Sequence, residues 1–121
     1  MSENPPDDRY IFHICPKDLW DEAQRAGRYG GTPLDRQDGF IHHSSRATVV
    51  ETAAVHLAGQ EGLILLTIDV ARLGDSLKWE ASRDGVLFPH LYSELPLNAV
   101  VSVDPLPLDA SGRHVFPDLK A

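Results

Sequence analysis

The sequence is poor in cysteine and in long apolar runs. Cys15 is the only cysteine among 121 residues, so no internal disulfide and no cysteine cage for zinc can form. The aliphatic run LILL, residues 63–66, is far shorter than the roughly 20 residues that span a bilayer. The first ten residues show no basic stretch followed by an apolar one, so we expect no secretory leader. We therefore expect a cytoplasmic protein that contacts no membrane and holds no metal.

Basic residues are also scarce. Eleven lysines and arginines stand against eighteen acidic residues, which gives a formal charge of −7, and no basic cluster interrupts this balance. Nucleic-acid binding depends mainly on cationic side chains that displace counterions from phosphates. We therefore expect no nucleic-acid partner, although a local pocket can still hold a small molecule.

The short motifs of several large enzyme classes are missing. The chain contains no GxGxxG, GxxxxGK[ST], GxSxG or HExxH pattern. These patterns mark dinucleotide-binding turns, P-loops, nucleophile elbows and helical zinc sites, respectively. Motifs of this kind therefore identify no activity, and the candidate residues have to be found in the strands.

The order of the predicted elements indicates an α+β domain. Helix signals occur at residues 17–27, which follow Pro16 and end at Gly27, and at residues 44–59. Strand signals occupy residues 10–15, 39–43, 63–70, 76–80, 85–92 and 98–106. Two helices in the N-terminal half and strands massed in the second half favour an α+β fold with a mixed or mostly antiparallel sheet. The apolar segment 63–70 is predicted to be its centre.

Three further segments contain turn formers and no regular period. Residues 1–9 are polar and include two prolines, so we predict a disordered tail followed by a single domain over residues 10–121. Residues 28–37 are predicted to be a surface loop about ten residues long. Residues 82–85 are predicted to be a turn between two strands.

Histidine occupies strand positions that ordinarily hold valine or leucine. Because side chains alternate across a strand, two segments each place a phenyl ring, an imidazole and a hydroxyl on one face. The two trios are Phe40, His42 and Ser44, and Phe88, His90 and Tyr92. Such a face would suit the wall of an apolar cleft with a few polar groups set into it. On the first strand, His13 shares a face with Ile11 and Cys15.

These histidines also have a structural interpretation. A lone histidine in a strand is often a packed ring whose nitrogens meet backbone carbonyls, and His13 alone fits that description. His42 and His90 together favour a function, because two buried imidazoles cost stability unless hydrogen bonds satisfy them. His43 and His56 are predicted to be structural or exposed to solvent.

Trp79 and Glu80 have two interpretations as well. They are either a core ring beside an exposed carboxylate, or a stacking surface beside an acid in a binding site. Histidines together with Glu80 could also bind zinc, iron or nickel, since neutral imidazole is a good ligand for these metals. The spacing of these residues gives a metal site no direct support.

Several motifs in order make the chain resemble a known bacterial family. They run from about Tyr10 to Leu106 and read IFHIC, Trp20, GRY, DGFIHHS, LILLTID, LKWE, FPHLY and PLNAVVSV. This order is similar to that of the family known as domain of unknown function 952. The resemblance implies the fold of the ADP-ribosyltransferases, a split and mostly antiparallel sheet with two helices in the N-terminal half.

The resemblance also implies roles for individual residues. Transferases of that fold hold a ribose of NAD with a polar residue on the first strand, the position of His13. His42 and Ser44 would flank the contact made by the second strand. His90 and Tyr92 would lie near the late strand position, where His90 replaces the usual glutamate. This replacement disfavours classical protein ADP-ribosylation.

The resulting hypothesis is a small cytoplasmic protein of ADP-ribosyltransferase-like fold that binds NAD or a related nucleotide and transfers ADP-ribose. It assigns catalysis to three histidines and cofactor binding to four other side chains. The catalytic set is His13, His42 and His90, and the binding set is Ser44, Trp79, Glu80 and Tyr92. Two alternatives stay open, a non-catalytic module that binds a small metabolite or a protein, and a metal-dependent hydrolase. The oligomeric state is not predicted.

Overall fold

Strands in the described part of the chain form two separate antiparallel sheets. The computed structural model describes residues 8–82 and 84–121. The strands are β1 (Tyr10–Pro16), β2 (Ile41–His42), β3 (Leu63–Asp69), β4 (Leu77–Ala81), β5 (Leu87–Leu91) and β6 (Val100–Pro105). One sheet has the order β1-β3-β6, the other has the order β2-β5-β4, and their strand pairs are antiparallel. The predicted α+β class with antiparallel pairing is confirmed.

The central strand of the first sheet is β3, as its continuous apolar sequence predicts. Six of its seven residues are buried, because β1 and β6 pair with it on either side and each face carries its own core. One face packs against a cluster that includes Trp20, Ile41 and Leu91. The other face packs against Val49 and Leu106. The first sheet is therefore covered on both sides, which is why its middle strand carries so few polar residues.

Three helices, one more than predicted, occur in the described residues: α1 (Lys17–Ala26), α2 (Pro33–Asp38) and α3 (Val49–His56). The first follows the sequence signals closely. Pro16 precedes it, and Gly27 ends it in the left-handed conformation at a φ of 79°, where glycine carries no steric cost.

The predicted loop at residues 28–37 is wrong, because α2 begins inside it. The Thr32 hydroxyl accepts a hydrogen bond from the Asp35 amide at 3.2 Å, and the Asp35 carboxylate accepts one from the Thr32 amide at 2.8 Å. This reciprocal pair is a capping box, and Pro33 occupies the first helical position, where its missing N–H costs nothing. The turn formers of this segment therefore start a helix.

The third helix is shorter than predicted and begins at Val49 instead of Ser44. The reason lies in the backbone of Ser44, whose N–H donates to the Phe12 carbonyl at 2.7 Å and whose carbonyl accepts from the Phe12 N–H at 2.8 Å. An extended residue with both groups paired to β1 cannot also open a helix. The chain turns at Ser45, whose carbonyl accepts from the Val49 amide at 3.0 Å.

The same Phe12–Ser44 pairing joins the two sheets. It lies immediately after β2, whose partner strand is β5. In the β2–β5 ladder His42 stands directly opposite His90, and His13 follows Phe12 on β1. The junction between the sheets therefore brings together the three strands that carry the predicted catalytic histidines.

Some predicted features fall outside the described residues. Residues 1–7 of the predicted tail do so, while Arg9 at its end is held by a hydrogen bond from the Val70 amide to its carbonyl at 3.0 Å. Arg83 of the predicted turn at residues 82–85 is also outside them. Within residues 8–82 and 84–121, none of the helices combines the length and apolar character that crossing a membrane would require.

Candidate functional site

A cleft of about 680 Å³ opens at the junction of the two sheets. Five of the six histidines of the chain line it, and the rest of its wall is mainly apolar. The histidines are His13, His42, His43, His56 and His90, and the apolar residues include Phe12, Ile14, Leu57, Leu63 and Phe88. A cleft of this size and composition is typical of sites for small organic molecules.

His13 is buried in the cleft wall with both ring nitrogens engaged. Its Nδ1–H donates to the carbonyl of His42 at 2.6 Å, and Nε2 accepts from the hydroxyl of Tyr29 at 2.6 Å. Burial lowers the pKa of His13 and raises that of Tyr29, so the ring is a neutral acceptor and the phenol keeps its proton. His13 therefore fixes the position of β2 relative to β1.

Asp35 is a buried carboxylate at the edge of the cleft, only 3% exposed. One oxygen accepts from the amide of His42 at 3.0 Å and from its Nδ1 at 2.6 Å, while the other accepts from the Thr32 amide at 2.8 Å. Burial alone would raise the pKa of Asp35, but the hydrogen bond from the His42 ring and the other donors lower it to about 2. Asp35 is therefore ionised, and it joins α2 to β2.

His42 bridges two carboxylates. Its Nδ1 faces Asp35 at 2.6 Å and its Nε2 faces Asp38 at 3.0 Å. The hydrogen bond to Asp35 raises the pKa of His42, because the carboxylate stabilises the charged ring. Because each ring nitrogen faces a carboxylate, the ring is an imidazolium. It binds Asp35 in the first turn of α2 and Asp38 at the end of α2.

The side chain of His43 is buried, and one of its two ring nitrogens has a hydrogen-bond partner in the described residues. Its Nδ1–H donates to the carbonyl of Ile41 at 3.0 Å. Its Nε2 is buried and has no hydrogen-bond partner in the part of the chain that the structure describes. Burial lowers the pKa of His43 to about 3, so the ring is neutral and Nε2 carries an unused lone pair.

A second polar group lies at the β4–β5 side of the cleft. One oxygen of Glu80 accepts from Nδ1 of His90 at 2.8 Å and from the hydroxyl of Tyr92 at 2.5 Å. The hydrogen bond from Tyr92, with that from His90, lowers the pKa of Glu80, and the bond to Glu80 raises the pKa of Tyr92. Phe40 stacks on the His90 ring at 4.0 Å between centroids. Glu80 is thus an ionised carboxylate linked directly to an imidazole of the cleft.

The structure brings six of the seven predicted site residues to this region. Four line the cleft, namely His13, His42, Ser44 and His90. Glu80 is hydrogen-bonded to His90, and Tyr92 is hydrogen-bonded to Glu80. Trp79 is the exception. It stands opposite Pro89 in the β4–β5 ladder and packs against the core cluster. This placement agrees with the interpretation of Trp79 as a core ring.

Sequence reasoning missed Asp35 and assigned His43 and His56 away from the site. The signal for Asp35 was present, because threonine followed by proline and, three positions after the threonine, an acid is a helix-capping pattern. His43 gave no such signal. Its burial depends on the pairing of Ser44 with β1, which a sequence does not show.

Hydrogen bonds link His13 to the backbone of His42 and the ring of His42 to Asp35, and a separate one links His90 to Glu80. Within the described residues, no three or more side chains of His, Cys, Asp and Glu are grouped so that they could hold a metal ion.

Comparison with known proteins places the chain in a family. The family model described as "Protein of unknown function (DUF952)" matches residues 14–103. The chain belongs to this family. The family description names no activity, and a comparison with curated proteins gave no match.

Two solved structures of protein CC0527 from Caulobacter crescentus are similar to this member of the family. The X-ray structure is 43% identical, with 88% of this chain and 93% of that chain covered and a TM-score of 0.84. The solution NMR structure is 44% identical, with 87% and 90% covered and a TM-score of 0.78. These similarities support the fold and leave the function to be argued from the cleft.

The ionisation of the cleft predicts how stability depends on pH. The pKa values of His13 and His43 are lowered in the folded protein, so below pH 6.5 the unfolded chain binds more protons than the folded chain. The free energy of unfolding therefore decreases as the pH falls. His42 has a raised pKa, so its stabilising effect is full below 6.5 and is lost as the pH rises through its folded value. The free energy of unfolding should therefore peak near neutral pH and fall on both sides.

Denaturant unfolding at a series of pH values checks this prediction. Each histidine that stays neutral should add about 1.4 kcal/mol per pH unit to the acid slope. His43→Leu should make the slope between pH 6 and pH 4 shallower by about one such increment. An unchanged acid slope in this variant would contradict the assignment of a neutral His43.

Proposed function

We propose that the cleft binds NAD or a related nucleotide and that the protein, with an ADP-ribosyltransferase-like fold, transfers its ADP-ribose group. The observation that carries the proposal is the contact between Glu80 and His90. It sets an ionised carboxylate beside an imidazole of an apolar cleft, and such a pair can stabilise positive charge on a sugar. The two antiparallel sheets that meet at the cleft agree with the fold in this proposal. The buried free thiol of Cys15 suits a reducing compartment, so we assign the activity to the cytoplasm.

The chemistry needs few groups. As the bond between ribose C1′ and the nicotinamide nitrogen breaks, its electron pair leaves with nicotinamide and positive charge develops on the ribose. The carboxylate of Glu80, oriented by Tyr92, stabilises that charge. The hydroxyl of water or of an acceptor then bonds to C1′, and its proton passes to Nε2 of His90, the ring nitrogen that the Glu80 contact leaves as acceptor.

His13 and His42 have a different part in this proposal from the catalytic one expected from the sequence. Both nitrogens of each ring are already engaged within the protein, so neither ring has a lone pair for proton transfer. They act as positioning residues that hold β1, β2 and α2 around the ligand. Catalysis then rests on Glu80 and His90.

The charge of the cleft indicates that it holds a nucleoside part of the nucleotide and not the phosphates. The lining contains no lysine or arginine within the described residues, and its imidazolium, His42, is already paired with Asp35 and Asp38. A pyrophosphate would therefore gain little inside the cleft. We propose that a base and its ribose enter and that the phosphates stay towards solvent.

Titration calorimetry with NAD, nicotinamide mononucleotide and nicotinamide tests this proposal. We expect NAD and the mononucleotide to bind at millimolar or lower concentration with similar affinity, because the phosphates add little. His90→Ala should weaken binding by at least several-fold, whereas His114→Ala, which removes an imidazole outside the cleft lining, should not. No heat from the wild-type protein at millimolar NAD would rule the proposal out.

A non-catalytic binding module is the second candidate. It is favoured by the same internal pairing of His13 and His42, since a cleft with two of its five imidazoles fully engaged within the protein is suited to holding a ligand. Free nicotinamide measured by chromatography after prolonged incubation with NAD separates the two functions. Binding without release, and a His90→Ala variant altered in affinity alone, would favour the module.

A further inference from the structure

The buried Nε2 of His43 is a polar atom that nothing in the proposed chemistry uses. Its Nδ1 is hydrogen-bonded to the carbonyl of Ile41, so Nε2 is the ring nitrogen left without a partner in the described residues. The ring lines the cleft and lies 5.2 Å from the His13 ring between centroids. An acceptor left without a donor in a buried position costs stability.

We propose that Nε2 of His43 accepts a hydrogen bond from an N–H group carried on a flat ring of the ligand. The inference rests on the proposed function and adds a specificity-determining residue to it. In a nicotinamide nucleotide the donor is the carboxamide of nicotinamide or the amino group of adenine, two sources of the same chemistry. The aromatic rings of Phe12 and Phe88 in the same lining suit a flat ligand.

The tautomer of His43 explains what it would reject. Because Nδ1 holds the proton, Nε2 carries only a lone pair, and burial keeps the ring neutral well below neutral pH. A ligand with a carboxylate in place of the carboxamide would set oxygen lone pairs against this nitrogen. A site built to pair with an N–H rejects an analogue that lacks it far more strongly than an apolar wall does.

The donor cannot reach Nε2 without a local shift. The atom is closed to water in this structure, so the imidazole or a neighbouring side chain must tilt to admit the ligand. This movement is favoured because Nε2 of His43 gains a hydrogen bond that it lacks in the unbound protein. Nicotinamide and adenosine are small enough to test this step without the phosphates.

The experiment compares two pairs of probes by calorimetry. Nicotinamide is compared with nicotinic acid, and adenosine with purine riboside, which lacks the amino group. We expect the wild-type protein to prefer the N–H-bearing member of one pair by about ten-fold or more, and that pair identifies the half of the nucleotide in the cleft. His43→Phe should bring the ratio close to one, while His43→Gln, whose side-chain oxygen can accept in a similar place, should keep most of it.

Control variants make each outcome decisive. His114→Ala removes a histidine that is not in the cleft lining and should leave the ratio as in the wild type. If the His43→Phe variant does not fold, His43→Leu is used in its place. If NAD binds but the wild type shows no preference within either pair of probes, or His43→Phe keeps the preference, the role of His43 is overturned and the proposed function stands. If NAD does not bind to the wild-type protein, the proposed function fails and the inference that rests on it fails as well.

Discussion

Replacing Asp35 with alanine is expected to lower the free energy of unfolding by about 3–5 kcal/mol. The variant removes the acceptor of three hydrogen bonds, two from His42 and one from Thr32. It also leaves the His42 imidazolium with Asp38 as its remaining carboxylate and removes half of the capping box of α2. Denaturant unfolding at neutral pH measures the change.

Asp38→Ala is the matched control for this prediction. It removes the other carboxylate from His42, but Asp38 is 37% exposed and holds the ring at 3.0 Å. An exposed ion pair of this kind contributes about 0.2–1 kcal/mol, so the variant should remain close to wild type. Equal effects of the two substitutions would show that burial of Asp35 does not matter and would contradict the account of the site.

The sequence predicts elements well where local signals and tertiary packing agree. In α1 the flanking proline and glycine mark both ends, and the helix forms between them. In β3 a continuous apolar run indicates a strand covered on both faces, and that strand is the centre of its sheet. These patterns succeed because the same residues satisfy the backbone locally and the core globally.

The elements that define the cleft are those where long-range contacts override local signals. Ser44 has the chemistry of a helix cap, yet its pairing with Phe12 holds it in an extended conformation and delays α3. The reverse holds for α2, where Thr32 and Asp35 form a local cap inside a segment that otherwise resembles a loop. The start of α3 could not be predicted correctly without the register of β1. The capping box of α2, in contrast, can be recognised in the sequence.

The candidate site was predictable in three of its five histidines and not in its protonation. Alternation along the strands gave two separate trios, one with His42 and one with His90, and the β2–β5 ladder sets these two residues opposite each other. It could not show that Asp35 fixes His42 as a cation, because that bond depends on where α2 docks. Nor could it show that Glu80 reaches His90, since this contact joins residues ten positions apart across the β4–β5 register.

Glu80→Gln is expected to slow the release of nicotinamide from NAD about 100-fold or more while changing the affinity for NAD only slightly. Glutamine keeps the shape and an acceptor oxygen for Tyr92 and His90, so the ground-state complex is preserved. It lacks the negative charge that stabilises the developing charge on the ribose, and losses of this kind appear in the rate. Single-turnover release measured by chromatography, beside calorimetry on the same variant, separates rate from affinity.

Glu94→Gln gives the control for this loss of charge. Glu94 is also an exposed glutamate in an ion pair, with Arg28 at 2.8 Å. Its partner Arg28 is not in the cleft lining, whereas the partner of Glu80 is the cleft residue His90. This variant should release nicotinamide at the wild-type rate. Tyr92→Phe should give a smaller loss than Glu80→Gln, since it removes the group that orients the carboxylate and leaves its charge. A Glu80→Gln variant with full activity would show that the carboxylate beside His90 has no part in the reaction, and catalysis by this cleft would have to be abandoned.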